Sequence, residues 1–531
     1  MELLMSSGSP ARAGRREWIG LAVLFLPTLL ISMDLTVLHL AVPALTADLN
    51  PTSTQLLWIV DIYGFLIAGS LITMGTLGDR IGRRKLLLIG AAVFGVTSVL
   101  AAFSTSAEML IVSRALLGVA GATLMPSTMS LIRTMFPDSA QRTFAIGVWV
   151  SGFSAGSAIG PLMGGVLLER FWWGSVFLLS VPIMALLLIL GPVLLPEYRD
   201  ADAGRLDLLS AVLSLTAVLT VIFGLKQFAV EGPGWLSVSS LAAGLAIGVV
   251  FVRRQQTLPD PLLDLRLFNN RAFSAALGTN TIAVFLLFGI FLYTAQYLQL
   301  VLGLSPFAAG LWTLPSAVAF IVGSNVVPAI VRWVRPWILV AAGLALAAIS
   351  FAVLSQVSVA SGLGTLVVAN VMMSLAISPV FTLTTDMILG AAPPERAGAA
   401  SALSETGAEF GGALGLAILG SIGTAVYRQS LADTLPAGIP PESAEATRET
   451  LGGAMIAAAQ LPEPLAGALL GAARAAFVQG LQVNATIGAI GLAATAIVSA
   501  VLLRRAPTAP DPEEIPAADT GDEPSELAQA A

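Results

Sequence analysis

The sequence predicts an all-α membrane protein of about fourteen transmembrane helices, on three observations. Of its 531 residues, 56% are hydrophobic and only 11% charged, with mean hydropathy +0.87, against roughly 25% charged residues in a soluble domain. Apolar stretches recur along the chain at the ~20-residue length that crosses a bilayer. Asp34 and Asp61 each sit inside such a stretch. A carboxylate there costs at least ~2.5 kcal/mol on insertion scales, so its presence points to a proton or cation that visits it. The chain has no cysteine, which excludes disulfides and thiolate metal sites. Its single histidine, His39, excludes a multi-histidine metal site.

The apolar segments fall near 18–42, 56–77, 86–104, 110–132, 144–167, 174–195, 207–225, 234–252, 273–300, 307–331, 337–355, 362–390, 398–425 and 481–503. An even count puts both termini on one side. Most of the 26 basic residues then fall in loops on that side, which makes both ends cytoplasmic by the positive-inside rule. The first segment follows Arg12, Arg15 and Arg16 like a signal peptide, but it is too long and carries Asp34 within it, so it reads as a retained span. The external loop 428–480 is rich in alanine and proline and is compatible with short helices lying on the outer face. The tail 506–531, acidic and proline-containing, reads as disordered. Its acids exceed the whole net charge of −6, so that charge says nothing about a partner.

Motifs occur in order along these spans. After the second comes Gly75-Thr-Leu-Gly-Asp79-Arg80-Ile-Gly82-Arg83-Arg84-Lys85, whose glycines allow a tight turn and whose Asp79 can pair with a base or cap a helix. Arg114 lies inside the fourth span, followed by Gly118, Gly121 and Ala122; an intramembrane arginine needs carboxylate or carbonyl partners. In the fifth, Gly152, Gly156, Gly160 and Gly164 recur every four residues, with Pro161 and Gly165 alongside. Such a stripe lets another helix approach closely, while the proline introduces a bend. The same span holds Gly152-Phe-Ser154-Ala-Gly156, formally a nucleophile elbow, but a membrane helix in a chain with one histidine is no hydrolase site.

Two further acids, Glu405 and Glu409, stand four residues apart and so share one face of the thirteenth span; Gly407, Gly411 and Gly415 lie on roughly the opposite face. Trp58 is one turn from Asp61, so a ring and a carboxylate can jointly hold an organic cation. Asp386, near the cytoplasmic end of the twelfth span, reads as structural.

The loop motif resembles the signature of the major facilitator superfamily. Arg114 with its glycines resembles that family's fourth-helix motif, and Gly156-x-x-x-Gly160-Pro161-x-x-Gly164-Gly165 resembles the antiporter motif of its proton-coupled exporters. Met33-Asp34-Leu-Thr36-Val-Leu-His39-Leu-Ala41-Val-Pro43 and Trp58-Ile-Val-Asp61-Ile-Tyr63 are similar to the first two helices of the fourteen-span drug:proton antiporter branch, although His39 stands where asparagine is commoner. Trp173 to Pro182 and Pro261 to Phe268 extend the likeness, which runs from about 18 to 505. Some members carry an acid in the tenth span; Leu314-Pro315-Ser-Ala-Val-Ala-Phe320 has none, which counts against broad acceptance of dications.

The resemblance implies a major facilitator fold. Its parts are a cytoplasmic N-terminus (1–17), a six-helix bundle (18–195), an inserted helix pair with its linker (196–252) and a second six-helix bundle (253–505). It implies a transporter and no enzyme: a proton-coupled antiporter exporting lipophilic or quaternary ammonium cations and other drugs across the plasma membrane by alternating access. The alternative is export of an endogenous metabolite or antibiotic on the same fold. Asp34, Glu405 and Glu409 are the expected shared cation and proton sites, with Asp61 and Trp58 in the outer vestibule and Arg114 in proton coupling. The glycine motifs, Pro161 and Asp79, Arg80 and Arg83 are assigned to gating. No cofactor is expected beyond the proton gradient. The expected partners are small cations, protons and lipid, with no nucleic acid, and the chain is expected to act as a monomer.

Overall fold

The computed structural model describes residues 12–51, 53–199, 207–232, 234–258, 261–359, 362–393 and 396–504. The tail 506–531 and residues 1–11 lie outside this set, as do the side chains of His39, Asp61 and Pro161. Among the described residues every regular element is a helix, and fourteen segments are long and apolar enough to cross a membrane.

The first group comprises α1 (Arg15–Leu49), α2 (Ser53–Ile81), α3 (Arg83–Ala102), α4 (Ala107–Met135), α5 (Ser139–Arg170), α6 (Ser175–Leu178) and α7 (Ser180–Leu194). The sixth span is thus split into α6 and α7. Pro182 lacks the N–H that would donate to Leu178, so the helical ladder breaks there. The inserted pair is α8 (Leu208–Glu231) and α9 (Trp235–Thr257). The last group comprises α10 (Arg271–Gln296), α11 (Pro306–Val331), α12 (Pro336–Leu354), α13 (Gly362–Ala391), α14 (Ala397–Thr434), α15 (Pro441–Glu449), α16 (Leu451–Ala458) and α17 (Glu463–Arg504).

The buried apolar residues form two large clusters. One draws chiefly on α1 to α7, around Leu24, Phe94, Leu117 and Trp149, with Leu389 of α13 added. The other draws chiefly on α9 to α17, around Phe273, Leu344, Phe351 and Leu481. Phe320 and Phe381 pack against both, so the halves meet along α5, α11 and α13.

The loop expected at 428–480 is shorter than the sequence suggested. Helix α14 continues to Thr434, just before Leu435-Pro436, and α17 begins at Glu463, just after Pro462. Alanine-rich sequence prolongs a helix beyond the apolar window that marks its membrane part, and proline sets the stop and the start. Between them lie the short helices α15 and α16, tied down where Tyr427 donates to the Thr447 carbonyl at 2.7 Å.

Candidate functional site

Position on α1 is set by the glycine stripe of α5. A Cβ at Gly156 would collide with the Leu29 carbonyl, one at Gly160 with Thr36 and Met33, and one at Gly152 would press on Phe25 and Thr28. The two backbones therefore approach closely, and Ser32 Oγ reaches the Phe153 carbonyl at 2.7 Å. Gly165 has open space around its Cβ direction and takes no part in the seam. With Leu29, Ser32, Met33 and Thr36 committed to α5, Asp34 is turned toward α4.

There Asp34 meets Arg114. Arg114 Nη1 lies 3.0 Å from Asp34 Oδ2, Nε donates to the Ile59 carbonyl at 2.7 Å and Nη2 to the Val60 carbonyl at 3.4 Å. The guanidinium also lies over the Tyr63 ring, 4.8 Å from its centroid, with the Phe177 ring at 5.9 Å. One side chain, 1% exposed, thus joins α1, α2 and α4. Sequence reasoning left two readings for Arg114, carboxylate pairing and carbonyl anchoring, and the geometry provides both. Asp34 fills the carboxylate role, rather than the glutamates of α14.

Glu405 and Glu409 are placed by the opposite face of α14. Gly407, Gly411 and Gly415 lie against Thr281 and Phe285 of α10, so close that a Cβ at Gly411 or Gly415 would meet α10 carbonyls. The acids are therefore directed away from α10. Glu405 is half-buried and Glu409 exposed, and their charges interact. Tyr63, fully buried on α2, feels the charges of Asp34, Arg114 and Glu409. Acids from both halves thus lie within electrostatic reach of the same tyrosine. Tyr63, whose buried hydroxyl has no hydrogen-bond partner among the described residues, is the member that sequence reasoning quoted in a motif but did not assign a role. Trp58 is 38% exposed and packs edge-on to Phe65 at 6.2 Å.

At the arginine-rich end the halves are closed on one another. Asp79 accepts from the backbone N–H groups of Gly398 and Ala399, each at 3.2 Å, and pairs with Arg83 at 3.0 Å. A carboxylate at the N-terminus of α14 satisfies orphan donors and complements the helix dipole. Gly75 makes this possible, since a Cβ there would strike the Gly398 carbonyl. Arg133 donates to the carbonyls of Ala392 and Pro393 beyond α13. Arg142 pairs with Asp386 at 2.8 Å, and Thr143 donates to the same carboxylate at 2.8 Å. Asp386 was read as structural, and its place is a cross-link between halves. Arg80 is half-exposed at the end of α2.

Glu197 completes the loop. It accepts from the N–H groups of Arg84 and Lys85 and pairs with the Arg84 side chain at 3.5 Å, so it caps α3 from the far end of α7. Gly82, at φ +110°, makes the turn that leads into α3, a conformation that favours glycine. Glu197 carries no signal in the sequence, because the bond joins residues more than a hundred positions apart.

Among the described residues no group of three or more acids, histidines or cysteines is placed to hold a metal ion. The arrangement sets exchangeable carboxylates on both halves, which contact one another along α5, α11 and α13.

A family model described as Major Facilitator Superfamily matches residues 24–416. The multidrug efflux pump LfrA of Mycolicibacterium smegmatis is 45% identical over 94% of this chain and 98% of its own length. The methyl viologen resistance protein SmvA of Salmonella typhimurium is 36% identical over 87% and 93%, and the tetracenomycin C resistance and export protein of Streptomyces glaucescens 32% identical over 94% of each. Among solved structures, the human organic anion transporter MFSD10 (TETRAN) aligns with TM-score 0.59 at 17% identity, covering 90% of this chain and 99% of that one. A bacterial homologue of the human lysosomal transporter Spinster aligns with TM-score 0.58 at 18% identity, covering 95% and 100%. Both likenesses concern the fold alone.

Proposed function

The chain belongs to the major facilitator superfamily, a family of multi-pass membrane transporters, and from that premise we propose that it is a drug:proton antiporter that exports lipophilic and quaternary ammonium cations. The observation that carries this reading is the Asp34–Arg114 ion pair, held at 3.0 Å within the same field as Glu409, next to Glu405. The efflux pump and the methyl viologen resistance protein among its relatives support the substrate class.

In this reading the arginine-rich end is cytoplasmic, both termini lie inside, and the membrane is the plasma membrane. A cation from the cytosol binds deprotonated Glu405 and Glu409, with Asp61 and Trp58 on its outward path. Protons arriving from outside neutralise the acids and displace it. Asp34 reports its own protonation through Arg114, because a neutral carboxyl releases one of the bonds that tie α4 to α1. Coupling is competition between proton and cation for the same negative charge. Exchange of one proton for one monovalent cation is electroneutral, and each further proton adds ~2.3 kcal/mol per 100 mV. No cofactor enters the cycle, and one chain suffices.

Ethidium efflux from energised cells, with and without a protonophore, tests this beside Asp34→Asn and Glu405→Gln. The expected result is protonophore-sensitive efflux that either substitution abolishes. Equal dye retention in cells with and without the protein favours the second reading, export of a metabolite or antibiotic, for which the tetracenomycin C export relative speaks.

A further inference from the structure

We propose that the inserted helix α8 is a sliding side wall: it is fixed to α2, moves with the first half of the molecule, and seals the seam between α2 and α14 while α14 slips past it.

Helices α2 and α14 touch at the arginine-rich end, where Gly75 meets Gly398 and Ala402. Toward the opposite end α8 lies against both. Its middle packs on α2, where Val218 and Ile222 form a cluster with Phe65 and Ala68. Farther along, Val221 and Leu225 cluster with Ala417, with Ala413 and Leu414 packed alongside. Phe410 packs against both clusters and is the neighbour in sequence of Glu409. The wall therefore packs on the stretch of α14 that directly follows the acids.

The two sides of α8 are built differently. On the α2 side Leu215 and Leu219 fill the hollow left by Gly69, where a Cβ would stand 2.7 Å from Leu215 and 3.2 Å from Leu219. Interlocking of side chains into a glycine hollow resists sliding. A buried polar chain adds to it. Gln255, 3% exposed on α9, donates to Ser210 Oγ of α8 at 2.8 Å and accepts from the N–H groups of Leu262 and Leu263. The Leu262 carbonyl in turn accepts from Thr76 of α2 at 2.8 Å. These groups are buried, so drawing the Leu262 segment away from α2 would leave the Leu262 carbonyl without its Thr76 donor, and the link reaches α8 only through α9.

On the α14 side the cluster consists of alanine, leucine, valine and phenylalanine, and among the described residues no side-chain hydrogen bond joins α8 to α14. Apolar surfaces of this kind can shift while staying dry, as packed helices do in shear motions. Hence α8 follows α2 when the halves rock, and the seal survives.

The absence of cysteine from the chain makes the test direct. Disulfide formation is timed in membranes for Gly69→Cys with Leu219→Cys, across α2 and α8, and for Leu225→Cys with Ala417→Cys, across α8 and α14. Each pair is compared with and without Asp386→Asn, which releases the Arg142 link that closes the halves. The fixed pair should close at the same rate in both backgrounds. The sliding pair should slow, by up to about fivefold, the change in the closed-to-open ratio that ~1 kcal/mol of weakened closure gives. Should Gly69→Cys impair folding, Ala68→Cys with Ile222→Cys reads the same contact. An equal slowing of both pairs, or no slowing of the α8–α14 pair, would overturn the proposal. Neither result depends on which compound is exported.

Discussion

Arg142 on α5 and Asp386 on α13 hold the two halves together across a 2.8 Å ion pair, and Thr143 seals the second carboxylate oxygen. The pair is partly exposed, 20% and 16% by side chain, so it is neither a screened surface contact nor a fully desolvated one. Removing its charge with Asp386→Asn should weaken closure by about 1 kcal/mol, a roughly fivefold change in population. A cysteine placed at Ser127, buried in the closed region of α4, reads this. Its reaction with a membrane-impermeant maleimide from the arginine-rich side should speed up by about that factor in Asp386→Asn.

Arg114 should tolerate no replacement. Its guanidinium makes an ion pair, two carbonyl bonds and a ring contact at once, a pattern that the single point charge of lysine does not reproduce. Arg114→Ala leaves Asp34 and two carbonyls without their donor, at a cost of about 3–5 kcal/mol for a buried pair. Arg114→Lys should therefore lose efflux nearly as fully as Arg114→Ala, though it keeps more thermal stability in detergent. Recovery of efflux by lysine would reduce the site to simple charge balance.

Legibility in the sequence followed the range of the interaction. Span number, the acids of α1 and α14, and the glycine seams could be read because hydropathy and three-to-four-residue spacing are local properties of a helix. Glu197 and Asp386 could not be read in their roles, because their partners lie more than a hundred residues away in sequence and no local spacing marks them. Arg114 stands between these cases: its burial was evident from its setting, whereas the choice of Asp34 over Glu405 depended on how α5 turns α1. The ends of α14 and α17 were misplaced because a hydropathy window marks the membrane part of a helix and not its last hydrogen bond.

Asp207 gives a dependence on pH outside the spans. Burial pushes its carboxyl up, but hydrogen bonds from Ser210 and Arg254, with the charge of Arg254, outweigh burial and hold it below the usual carboxylate range. A depressed folded value means stability that is complete above the unfolded value near pH 4 and is lost as pH falls through the folded one. Asp207 also caps α8 by accepting from Leu209 N–H at 3.1 Å. Asp207→Ala should thus melt lower than the unaltered protein at pH 7, with the gap narrowing below about pH 4. A gap that is constant with pH would assign the loss to side-chain shape instead of charge.

Gly156 and Gly165 lie in the same helix and the same motif, yet they should respond oppositely to alanine. At Gly156 the new methyl would strike the Leu29 carbonyl and stand 2.8 Å from Ser32 Cβ, both rigidly placed on α1, so α5 must back away. That retreat would break the Ser32 to Phe153 bond and rotate Asp34 relative to Arg114. At Gly165 nothing lies within 4 Å, and alanine has the better helix propensity by about 1 kcal/mol. Gly156→Ala should cost about 1–3 kcal/mol of stability, as overpacking does, and most of the efflux. Gly165→Ala should melt at or above the temperature of the unaltered protein and keep its efflux. Loss of transport in a stable Gly165→Ala would mean that this glycine serves a conformation other than the closed one, in which the arginine-rich end opens and α5 finds a new neighbour.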